Sequence, residues 1–167
     1  MLEILQKGNP ILNKKASEIK PDDISSTQIQ DLIKEMKEIL SKKNDGAALA
    51  APQIGKSVRL FIIAENVFTE EESNMVFINP KIIEQSEEKE WMEEGCLSVK
   101  GIYGKVNRST SCTIRAYDLQ GEIFTQKGHG LISQIFQHEV DHLNGILFTE
   151  KAKDLFQVDD ENQNKKL

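Results

Sequence analysis

Ile29, Leu32, Ile33, Met36, Ile39 and Leu40 recur at spacings of three and four, the period of a helix with one apolar face. Ser26-Thr27 supplies a cap at the start and Asn44-Asp45-Gly46 a stop, so the pattern predicts an amphipathic helix running to about Lys43 and lying on the core. Small residues follow from Gly46 to Gly55, and side chains this short let the backbone approach a neighbouring strand or a ligand. Val58 to Ala64 is the unbroken apolar run of a buried strand. Shorter or alternating strand patterns occupy 75–83, 88–92, 110–117 and 122–126, with Asp118-Leu119-Gln120-Gly121 as a hairpin turn between the last two. Residues 65–74 read as a polar, acidic loop. A second helix is predicted from near Gly130 to Asn144-Gly145, with Gly145 as its stop.

At about 100° per residue, Ile132, Phe136, Val140 and Leu143 of this second helix form an apolar stripe opposite His138. Leu131, Gln134 and Ile135 fall on the histidine side, one or two turns earlier, where they would line a pocket. The expected architecture is α+β, mostly antiparallel strands packed around a central second helix, with the N-terminal amphipathic helix beside them. Residues 1–156 would form the domain and 157–167 a polar tail that frays at its end.

A chain of 167 residues is one domain's worth, and its 38% hydrophobic and 29% charged residues are an ordinary globular balance. A formal charge of −6 argues against nonspecific binding of nucleic acid. No apolar run approaches a membrane span, and Met1-Leu2-Glu3-Ile4 lacks the zones of a signal peptide. Cys96 and Cys112 form no disulfide framework, and Cys112 lies in an alternating segment that favours a buried, inert thiol. A cytoplasmic monomer is the expectation.

Two of the three histidines stand in Gln137-His138-Glu139-Val140-Asp141-His142. Imidazoles four residues apart differ by about 40° around a helix, so both reach one metal ion. Glu139 lies between them, beside the metal, as a base. A catalytic metal needs a third ligand and an open position. Cys96 is the best candidate, at the end of a predicted strand after Gly95, which allows a sharp turn. Its bland alternative is a buried structural thiol. The helix motif alone says only metallohydrolase.

Gly46 to Gln53, Glu94 to Ser98 and Gln137 to His142 match three motifs in order: G-x-G-x-A-A-x-Q, E-G-C-L-S and Q-H-E-x-D-H. With Ile4-Leu5-Gln6 and Pro10-Ile11-Leu12 near the start, the chain resembles the peptide deformylase family to about Lys151. The resemblance implies Cys96, His138 and His142 as metal ligands and Glu139 as catalytic acid and base. It implies the Gln53 amide and the Leu97 backbone N–H as donors to the carbonyl oxygen, and Gly46, Ala47 and Ala48 beside the substrate. The reaction implied is removal of the formyl group from formylmethionyl peptides, on nascent chains at the ribosome. Thiolate with two imidazoles suits zinc, nickel, cobalt or iron, and the resemblance implies Fe2+.

The chain departs from the family at four places. Ala48 replaces the second glycine, where a methyl is expected to crowd substrate or restrict the backbone. Ala47 is smaller than usual, Lys100 stands where proline is common, and Gln134 is polar on a wall expected to receive methionine. Asp141 reads either as a partner of Arg108 or as an exposed carboxylate. Trp91 is expected to pack under the sheet, His129 to be a solvated loop residue, and Glu70-Glu71-Glu72 and Glu87-Glu88 to be solvated. A zinc peptidase would need a ligand after His142, where Glu150 is the acid at hand. A noncatalytic peptide binder is the alternative of another class.

Overall fold

A computed structural model of the chain describes residues 3–68 and 74–158 and the backbone of Asn164–Lys166. The first helix, α1 (Thr27–Ser41), starts where Ser26 accepts a hydrogen bond from Ile29 N, and its six apolar positions are all buried. The strands are β1 (Ala48–Ala50), β2 (Leu60–Ile63), β3 (Val76–Gln85), β4 (Lys89–Cys96), β5 (Val99–Ser109), β6 (Ser111–Tyr117) and β7 (Ile123–His129). The second helix α2 (Leu131–Leu143) follows, and β8 (Lys153–Val158) and β9 (Asn164–Lys166) close the chain.

Two antiparallel sheets result, ordered β1-β2-β3-β6-β7 and β4-β5-β8-β9. On the first sheet Leu49, Leu60, Ile62 and Ile78 pack on α1, whereas Ala50, Phe61, Ile63, Phe77 and Ile114 pack on Phe136 and Leu143 of α2. Burial on both faces explains why β2 is apolar throughout. Phe61 stacks on Phe77 at 4.6 Å, and Phe136 meets Phe77 edge-on at 5.3 Å. Each such ring is worth about 1.5–3 kcal/mol of burial. A third cluster, Leu12, Val99, Val106, Leu147 and Phe148, joins the second sheet to the end of α2. Helix α2 thus lies between the sheets, in the central position expected.

Several details differ from the sequence expectation. The small-residue stretch contains β1 and a 3-10 turn, Ala51–Ile54. The polar face of β5 hid that strand, and β8 and β9 extend its sheet. Of the expected acidic loop, Glu65–Val67 is a 3-10 turn, and Glu70-Glu71-Glu72 lie outside the described residues. The expectation of a frayed tail falls mostly on residues likewise outside them, but the backbone of Asn164–Lys166 pairs with β8. Trp91 does not pack under the sheet: it is 49% exposed, with Lys153 Nζ 3.6 Å above its ring. His129 is exposed as expected but ends β7, paired with Ser111, and is not in a loop. Cys112 is buried, its Sγ 3.7 Å from Ser133 O, and burial raises its thiol pKa.

Candidate metal centre

Helix α2 is fixed by polar contacts that its apolar stripe alone would not supply. Gln137 Oε1 accepts from Ser109 N at 3.0 Å, and its Nε2 donates to Ser109 O at 2.9 Å, so the amide pairs with the end of β5 like a strand neighbour. At the other end Leu143 O, beyond the reach of the helix's own N–H groups, accepts from Arg59 Nη1 at 3.0 Å and Ala16 N at 2.9 Å, and the same Nη1 donates to the Asn144 side-chain Oδ1 at 3.0 Å. Gly145 has φ +76°, and a Cβ there would stand 2.8 Å from Asn13 C, so glycine is required at this stop.

Strand β4 carries Cys96 to the same place. Gly95 acts by close approach: a Cβ at this position would stand 2.5 Å from Tyr103 Cε1. The backbone of Leu5–Lys7 laces the neighbouring loops together. Leu5 N donates to Gln53 O at 2.7 Å and Lys7 N to Ser98 O at 2.8 Å, while Gln6 Nε2 donates to Leu97 O at 3.0 Å.

The donor atoms converge. Cys96 Sγ is 3.2 Å from His142 Nε2, which is 3.1 Å from His138 Nε2, and the cluster's three ligand atoms lie within 4.8 Å of one another. A tetrahedral ion at ordinary metal–nitrogen and metal–sulfur lengths holds its donors about 3.3–3.7 Å apart, a range close to the two separations that His142 makes. His138 Nδ1 meets Glu94 Oε1, leaving Nε2 for a metal. Glu139 Oε2 is buried without a partner among the described residues, beside a centre whose metal-bound water would give it one. The residues present therefore fit a divalent ion.

Charge around the centre is ordered by Arg108. Its Nε and Nη2 bond both oxygens of Glu94, and Nη1 bonds Asp141 Oδ2 at 2.7 Å, the pairing expected as one alternative from sequence. Lys151 Nζ completes Asp141 at 2.9 Å. Burial would raise the Glu94 pKa, but hydrogen bonds from His138 and Arg108 outweigh it and hold the carboxyl at about 2. Burial pushes Glu139 up to about 7, despite the opposing charge of His138. Burial disfavours the charged form of His138, yet hydrogen bonds to Cys96 and Glu94 raise it well above its usual value. Burial, then the charge of His138, pushes His142 well below.

A cleft of about 670 Å³ opens onto these atoms. Gly46, Ala47 and Ala48 line one side, Cys96 and Leu97 another, and Leu131, Gln134, Ile135, His138 and Glu139 the α2 wall. His142 is behind, 1% exposed, and Leu131 sits at 58% exposure. Ala48 lies in β1 without a positive φ, so its methyl does not restrict the backbone there. Gln53 is buried: Oε1 accepts from Ala50 N at 2.9 Å, and Nε2 reaches Ser98 Oγ at 3.1 Å and Cys96 Sγ at 3.5 Å. Glu150 Oε1 accepts from Leu147 N and Asn13 Nδ2 and is not among the convergent donors. Glu94 was the role missed from sequence. The signal was at hand, since it opens the E-G-C-L-S motif and a metal-bound histidine needs an acceptor for its second ring nitrogen.

A sequence profile described as polypeptide deformylase matches residues 1–157. A peptide deformylase of Desulforudis audaxviator is 36% identical over 93% of this chain and 96% of its own. One of Pseudothermotoga lettingae is 40% identical over 86% of this chain and 78% of its own. The class I type b peptide deformylase of Acinetobacter baumannii, bound to Met-Ala-Ser, superposes with a TM-score of 0.83 at 35% identity, covering 90% of this chain and 98% of that one. The same enzyme bound to actinonin gives 0.83 at 36% identity, with 92% and 99% covered.

Proposed function

This chain belongs to the peptide deformylase family, and we propose that it is a metal-dependent hydrolase removing the formyl group from formylmethionyl peptides of new chains. The observation that carries this is the convergence of Cys96 Sγ, His138 Nε2 and His142 Nε2 beside the unpartnered Glu139 Oε2. Cys96, His138 and His142 would hold one divalent ion, Fe2+ first among Fe2+, Zn2+, Ni2+ and Co2+. Bound there, the ion supplies a Lewis acid that polarises the formyl carbonyl and makes water acidic enough to lose a proton near neutrality.

Glu139 accepts the proton of the attacking water, as a carboxylate poised near neutrality is suited to do. One Gln53 N–H, turned from the thiol to the formyl oxygen, and the Leu97 N–H stabilise the negative charge developing there. As the C–N bond breaks, Glu139 gives its proton to the departing nitrogen. Formate and a peptide with a free amino terminus leave. Glu94 keeps the His138 ring turned, and Arg108 keeps Glu94 ionised.

The peptide would enter extended. β1 and β4 are end strands of their sheets, and residues leading into β1, together with the last residues of β4, line the cleft. An extended chain can therefore pair with an open strand edge. Gly46, Ala47, Ala48, Leu131, Gln134 and Ile135 would border its first side chain. Among the described residues no helix is long and apolar enough to cross a membrane. A cytoplasmic monomer acting at the ribosome, without nucleic-acid contact, is the setting proposed.

Incubation of oxygen-free, metal-loaded protein with formyl-Met-Ala-Ser tests the proposal. Equal amounts of formate and free amine support it; bound peptide without formate leaves the noncatalytic binder, and cleavage of an internal peptide bond leaves the peptidase.

A further inference from the structure

Gln134 does not turn its amide nitrogen toward the pocket as a polar spot on the wall. Its Nε2 donates to Glu93 O at 2.7 Å and stands 3.4 Å from Glu94 Oε2. These acceptors belong to the third and second residues before Cys96, and Gln134 lies one helical turn before His138. One side chain therefore spans from the helix bearing two imidazoles to the strand bearing the thiol.

The place of the bond on the strand matters. β4 is an end strand paired only with β5, so a carbonyl met by α2 lies on its open edge. Nothing in the ladder holds that edge at a set distance from the helix. Gln137, three residues on, fastens the same helix to Ser109 at the end of β5. The pair of glutamines anchors α2 to adjacent strands. Of the two, Gln134 meets the strand that supplies Cys96, and it does so through that strand's backbone, whereas His138 and His142 meet only its side chains.

We propose that Gln134 is a positioning residue for the metal centre: its amide pins the edge of β4 to α2, keeping the Cys96 thiol and the histidine rings at metal-binding separation. The weaker approach to Glu94 Oε2 steadies the carboxylate that orients His138. The role rests on the deformylase assignment only in requiring that the three ligands hold a metal. An apolar side chain of the same length would fill the space but leave the Glu93 carbonyl without its donor, and outer contacts of this kind typically change metal affinity by about tenfold or more.

Nickel-loaded protein mixed with excess chelator reads the effect directly. Gln134→Met is expected to release nickel about tenfold faster than wild type. Gln134→Glu, which replaces the donor by negative charge beside Glu94, is expected to release it faster still. Gln30→Met is the control: Gln30 on α1 donates to Ile24 O at 2.8 Å and Leu119 O at 3.2 Å, outside the cleft, and its loss should lower Tm without altering release. Equal release by wild type and Gln134→Met overturns the role, as does a raised KM with unchanged release, which would make Gln134 a pocket wall alone. Acceleration by Gln30→Met equal to that by Gln134→Met also overturns it, because general loosening would then suffice. Wild-type protein that holds no nickel overturns the metal centre itself and this role with it.

Discussion

Arg108 grips Glu94 through two hydrogen bonds, Nε to Oε2 at 3.0 Å and Nη2 to Oε1 at 2.6 Å, with both side chains buried. Its third arm holds Asp141, and Glu94 in turn receives the His138 ring. Arg108→Met would leave Glu94 buried and without its cation, a loss of about 3–5 kcal/mol of stability. Denaturant unfolding measures it. Arg108→Lys should recover only part, since an ammonium cannot make the paired fork. A loss under about 1 kcal/mol for Arg108→Met would show the network to be dispensable.

Acid should act on the same carboxyl. Glu94 is held at about 2 in the folded chain against an ordinary 4.5. Its contribution is therefore complete above 4.5 and is lost as pH falls from there toward about 2. In Tm measured across that range, wild type should fall more steeply than Glu94→Gln, which starts lower and stays flatter. Parallel curves would mean that another carboxylate governs acid unfolding.

Glu139→Gln should keep the metal and lower kcat by about 10²–10⁴-fold. The base works deprotonated, so kcat/KM should fall as pH drops through its pKa. That pKa is about 7 in the site as described, and a bound cation moves it lower. A pH–rate profile of wild type should show an acid limb below about 7. Retention of most activity by the glutamine variant would remove Glu139 from its role.

Gly95→Ala tests the close approach beside the thiol. The added methyl would meet the Tyr103 ring at 2.5–2.7 Å, so the ring or β4 must shift. Metal affinity, measured by competition with a chelator, should fall, and Tyr103→Ala in the same chain should restore part of it. No fall in the single variant would show that the ring yields freely.

Much of this arrangement could be read from residue types. All six apolar positions of α1 are buried as their spacing requires, and β2 is the unbroken run that two covered faces demand. Three separated motifs brought Gly46, Gln53, Cys96, His138 and Glu139 to one cleft. β5 was illegible because Lys100, Lys105 and Asn107 interrupt its apolar positions, while Arg108 is buried by pairing that no linear pattern reveals. The lacing by Leu5 and Lys7 uses backbone atoms, which every residue type carries, and only Gln6 adds a side chain to it. Gln134 reads from sequence only as a polar residue on a pocket wall, because its acceptors on β4 lie about forty residues away in the chain.

Stepwise addition of Fe2+ or Ni2+ to metal-free protein without oxygen, with formate release measured at each step, tests the three-ligand centre and its reaction together. Activity should rise in proportion to metal and level off at one ion per chain, and Cys96→Ala should give little at any ratio. Formate release indifferent to added metal, or none at full occupancy, would contradict the account.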